Sequence, residues 1–82
     1  MQINIGILIR EELRRQGRSN KWLADAINVN PRTINKIFLK QTIDTQQLFV
    51  ISKVLQVDFF NVYSDALHAL PNTGNLPIVG NV

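Results

Sequence analysis

The chain has no cysteine, so neither a disulfide framework nor a cysteine-based metal site can be built from it. That absence fits a reducing compartment, and a cytoplasmic location is expected. Histidine is nearly absent too. His68 stands alone, with no second histidine and no carboxylate at ligand spacing, which leaves no metal to assign. Acids number only six, they are scattered, and Asp44 and Asp58 stand where helices would begin. With no glycine-rich phosphate loop either, no enzyme active site and no cofactor are expected. Long hydrophobic runs are missing: Ile7-Leu8-Ile9 stops at Arg10, far short of a membrane span, and apolar-before-charged is the wrong order for a secretory signal.

What remains is an ordinary globular composition in 82 residues, 45% hydrophobic and 18% charged, enough for one domain and no more. The net charge of +3 is unevenly spread. Residues 10–40 carry Arg10, Arg14, Arg15, Arg18, Lys21, Arg32, Lys36 and Lys40 against Glu11, Glu12 and Asp25, whereas Lys53 alone faces Asp44, Asp58 and Asp65 elsewhere. A field polarised in this way is a common footprint of polyanion binding.

Apolar periodicity predicts five helices. Ile5, Ile9 and Leu13 form one stripe in a first helix from Ile5 to Gln16, capped by Asn4 and ended by Gly17, with Gly6 weakening its first turn. Ser19 caps a second helix, Asn20 to Ile27. Asn28 supplies a residue tolerant of the left-handed turn, and Asn30-Pro31 opens a third helix ending near Phe38 or Leu39. Leu23, Ala24, Ile27, Val29, Ile34 and Ile37 make one buried seam between these two helices. Asp44 caps a fourth helix, Thr45 to Leu55, with a stripe of Leu48, Ile51 and Leu55. Asp58 caps a fifth, Phe59 to Leu67, burying Phe59, Val62 and either Tyr63 or Leu67. From residue 68 the period is lost among Pro71, Gly74, Pro77 and Gly80, so 4–67 reads as the domain and 68–82 as a tail, disordered or a short extended arm. Trp22 is either a lid on the edge of the core or an indole N–H donor to a phosphate.

Two short helices, a tight turn and a cationic second member are the grammar of a helix-turn-helix. The stretch SNKWLADAINVNPRTINKIF, with the helix at 44–55 and the segment VDFFNVY after it, resembles the Cro/C1-type (XRE, phage repressor-like) family, most of all a branch with Asn20-Lys21-Trp22-Leu23-Ala24 in the second helix. The resemblance covers about residues 5–67. It implies an all-α, five-helix lambda-repressor-like fold that binds operator DNA as a homodimer and regulates transcription, most simply as a repressor. Two departures stand out: Asn28 replaces the usual turn glycine, and Leu39-Lys40 replaces a polar loop, which puts backbone contacts from that loop in question.

By position, the resemblance makes Arg32, Asn35 and Lys36 readers of base edges in the major groove, Asn35 the shortest in reach, with Pro31 limited to apolar contact such as a thymine methyl. Asn20, Lys21, Thr33 and Lys40 become phosphate contacts, with Arg18 a further candidate. Against the family pattern Val50 and Phe60 are apolar where polar residues are usual, which marks them for a dimer interface. Leu76, Ile78 and Val79 give the tail an apolar surface for a partner protein. Rival roles are an antitoxin, a restriction-modification controller, or an interaction module that has lost DNA binding. The last predicts a neutral or acidic third helix, whereas this one has no acid between Pro31 and Lys40.

Overall fold

The computed structural model describes residues 2–69, and among them there are five helices and no strand. They are α1 (Ile5–Arg15), α2 (Asn20–Ile27), α3 (Pro31–Phe38), α4 (Thr45–Leu55) and α5 (Phe60–Ala69). Each start has a polar side chain that takes up an otherwise orphaned backbone N–H. Asn4 accepts from Ile7, Ser19 from Trp22, Asn30 from Arg32, Asp44 from Gln47 and Asp58 from Asn61. Asn28 closes α2 in the left-handed region (φ 61°, ψ 50°), and Gly17 does the same after α1 at φ 71°.

α2 packs on α3, α1 lies against α3, and α4 lies against α2. The core is the set of stripes expected: Ile5, Ile9 and Leu13 from α1, Leu23 and Ala24 from α2, Ile34 and Ile37 from α3, Leu48, Ile51 and Leu55 from α4, and Phe59 just before α5. Burying each large side chain contributes roughly 1.5–3 kcal/mol. Helices as short as α2 and α3 depend on that burial, because in isolation they would not persist in water. Ile27 and Val29, expected in the seam, are half-buried at its edge.

The structure corrects three expectations and adds one feature. Gly6 does not loosen α1. Its N–H donates to the Lys40 carbonyl at 2.9 Å and that of Ile5 to Gln41 at 3.0 Å, so the first turn is pinned. A β-carbon at Gly6 would stand 2.5 Å from the carbonyl oxygens of Ile37, Phe38 and Lys40; glycine lets α1 touch the backbone where α3 ends. α4 ends with Gln56 at φ 58°, a second non-glycine residue in the left-handed region. α5 contributes no fully buried residue: Val62 and Leu67 are half-buried and Tyr63 is exposed. It also runs through His68 and Ala69, past the expected end at residue 67, since nothing before Pro71 forbids helix. The remainder of the expected tail, with Leu76, Ile78 and Val79, lies outside the described residues.

Candidate nucleic-acid interface

α3 divides sharply between its two faces. Ile34 and Ile37 are sealed in the core, whereas Pro31, Arg32, Asn35 and Lys36 are exposed and Thr33 is half-buried. Asn30 fixes the start of this helix by accepting the Arg32 N–H at 2.8 Å. Two cations therefore stand one turn apart on a rigid element, with no acidic partner among the described residues.

Asn35 and Asn20 are brought together. The Asn20 amide donates to Asn35 Oδ1 at 3.0 Å, which ties the first residue of α2 to the middle of α3. A two-point grip on adenine needs the Asn35 amide oxygen to accept and its nitrogen to donate. That oxygen already has one donor, so the amide serves first as a brace between the helices.

Lys21 extends to Asp25 at 2.9 Å across an exposed turn of α2, and the hydrogen bond and charge of that carboxylate raise the lysine pKa. Exposed pairs of this kind are weak. Lys40 is exposed, but the backbone around it is committed. The N–H groups of Leu39 and Lys40 donate to Lys36 and Ile37, and the Lys40 carbonyl accepts from Gly6. This turn therefore offers a ligand its side chains, including a Leu39 that is 86% exposed.

By sequence, Arg10 and Arg14 count in the basic half and have no assigned contact. The structure sets them, with Asn20, Asn35, Phe38 and Leu39, around one shallow cleft beside α3. Their spacing of four marks them as neighbours, but only the packing of α1 on α3 shows what they border. Trp22 is half-buried and packs against the core, as a lid would. The Arg18 guanidinium lies over its ring, 3.9 Å from the centroid.

The expected dimer residues are not neighbours of one hollow. Val50 is half-buried and borders a depression with Ile27, Val29 and Gln47, whereas Phe60, 37% exposed, separates two apolar grooves. One groove has Phe49 and Val57, the other Ile43, Leu48 and Tyr63. Phe49, at 52% exposed, is the larger apolar feature and was missed because it falls off the α4 stripe without breaking its period.

Two capped short helices, a left-handed residue between them and a cationic outer face on the second make a helix-turn-helix. The profile of the helix-turn-helix family matches residues 9–60. The chain belongs to the Cro/C1-type helix-turn-helix family. It is accordingly a DNA-binding helix-turn-helix protein, and the matched span contains α2, α3, α4 and most of α1. No curated protein and no solved structure matches the chain. No described helix is long and apolar enough to cross a membrane.

Proposed function

We propose that this protein is a sequence-specific regulator of transcription, acting in the cytoplasm as a repressor that occupies a double-stranded operator with α3 in the major groove. The observation that carries the reading is the outer face of α3, where Arg32 and Lys36 are exposed, mounted on a capped helix and without an acidic partner among the described residues. Either cation can donate to guanine O6 and N7, with Pro31 placed for an apolar base contact. Asn35 keeps one amide nitrogen for a base edge while bracing Asn20. The phosphate contacts assigned to this reading are Asn20, Lys21, Thr33 and Lys40, joined by Arg10 and Arg14 across the cleft beside α3.

One recognition helix covers half a site, so a homodimer completes it. The exposed Phe49, Phe60 and Tyr63 supply apolar surface for that contact, with Val50, in a separate depression, the other candidate. Selection of bound sequences from a random duplex pool, at two salt concentrations, tests the reading. Enrichment of a two-fold symmetric site supports it; failure to enrich any site returns the protein to the interaction-module alternative. A monomer by sedimentation would instead assign the aromatic face to a different protein, as in an antitoxin.

A further inference from the structure

Arg18 is anchored in an unusual way for an exposed arginine. Its Nε donates to Gln16 Oε1 at 3.2 Å, and the face of the guanidinium lies on the Trp22 ring. The orientation of Gln16 is set in turn, because its Nε2 donates to Glu12 Oε2 at 2.7 Å and to the Leu55 carbonyl at 2.9 Å. With the amide nitrogen used on that side, the amide oxygen faces Arg18. Leu55 is the last residue of α4, so the anchor ties the ends of α1 and α4 to the start of α2. The two Nη groups have no partner among the described residues.

A guanidinium held at Nε and by its face is restricted in its rotamers before any ligand arrives. What it still presents is the fork of Nη donors that matches two oxygens of a phosphate. It stands immediately before Ser19, the cap of α2, and the positive end of a helix dipole favours an anion. Glu12, the nearest acid in this network, is already paired with Arg15.

We infer that Trp22 is a positioning residue for DNA binding: with Gln16 it holds the Arg18 guanidinium ready to grip a backbone phosphate. This rests on the DNA-binding reading above and assigns Trp22 a use beyond packing. One face of the ring carries the guanidinium, so the indole acts through Arg18.

The test is a double-mutant cycle on the full chain, measured as affinity for a selected duplex across a salt series. Arg18→Ala should weaken binding about tenfold and lower the salt slope by about one per chain. Trp22→Leu, which keeps apolar bulk without an aromatic face, should weaken binding about threefold to fivefold, and Trp22→Phe should restore most of that loss. In the Arg18→Ala background, Trp22→Leu should cost nothing further. Thermal melts identify variants that fail to fold, and Trp22→Phe keeps the test usable if Trp22→Leu is one of them. If wild-type protein binds duplex but Arg18→Ala matches it in affinity and slope, the inference falls and the DNA reading stands. Losses that multiply independently across the cycle overturn it equally. A wild-type protein that binds no duplex overturns both.

Discussion

Among the described residues, Arg10, Arg14, Arg32 and Lys36 on α1 and α3 stand exposed without an acid paired to them, whereas on α4 and α5 Phe49, Phe60 and Tyr63 stand exposed on helices whose one lysine or arginine is Lys53. The inner stripes of α1, α3 and α4 reach one core, whereas α5 buries no residue fully and is joined to that core through Phe59 just before it. The difference lies in what each outer face leaves unsatisfied. The first presents donors and charge, which water solvates well and a polyanion satisfies better. The second leaves aromatic area in water, which only another apolar surface relieves. Helical period reveals which side chains can be buried, but not whether the partner that buries them belongs to the same chain.

Neighbouring phenylalanines give the strongest way to sharpen this contrast. Phe59 is 3% exposed in the core, and Phe59→Ala should destabilise the fold by about 3–5 kcal/mol, measured by denaturant unfolding. Phe60→Glu should leave the unfolding midpoint nearly unchanged while shifting sedimentation toward the monomer; an unchanged oligomer would remove Phe60 from the interface. On the basic face the effect should appear in binding alone. Arg32→Ala or Lys36→Ala should cost roughly 1–3 kcal/mol against a selected operator and relax sequence preference, with melting unaltered. Wild-type affinity for both would place the interface elsewhere.

The smallest expected effect is electrostatic and belongs to neither face. Hydrogen bonds from Arg15 and then Gln16 hold the Glu12 carboxyl below the usual carboxylate range. A lowered folded-state pKa contributes stability above the ordinary value, and that contribution disappears as pH falls through the folded one. Glu12→Gln should therefore lower the melting temperature slightly at neutral pH, with the difference from wild type closing as pH falls through the acid range.

The helix caps were legible because capping is local: Asn4, Ser19, Asn30 and Asp44 act within three residues of themselves. The apolar stripes were legible for the same reason, and so was the left-handed turn at Asn28. What escaped depended on residues distant in the chain. Helix propensity treats Gly6 as a weakness, whereas the carbonyls of residues 37–40 make it a requirement. Within the candidate site, the exposed cations of α3 could be read from period, but not the Asn20–Asn35 bond, the placement of Arg10 and Arg14, or the stack of Arg18 on Trp22. Those arise only when α1, α2 and α3 meet. Gln56 in a left-handed conformation had no sequence signal, since glutamine pays roughly 1–2 kcal/mol there and is not chosen for it.

The bonds from Ile5 and Gly6 to Gln41 and Lys40 also bear on the order in which the molecule assembles. They join the two ends of a segment that contains α1, α2 and α3, so closing them carries a chain-entropy penalty that the short α2–α3 pairing avoids. A nucleus made of the local helix pair, with α1 docking afterwards, follows from that asymmetry. Gly6→Ala then has a kinetic signature. In a denaturant chevron it should accelerate unfolding and leave the folding arm nearly in place, whereas a slowed folding arm would put the α1–α3 joint inside the nucleus.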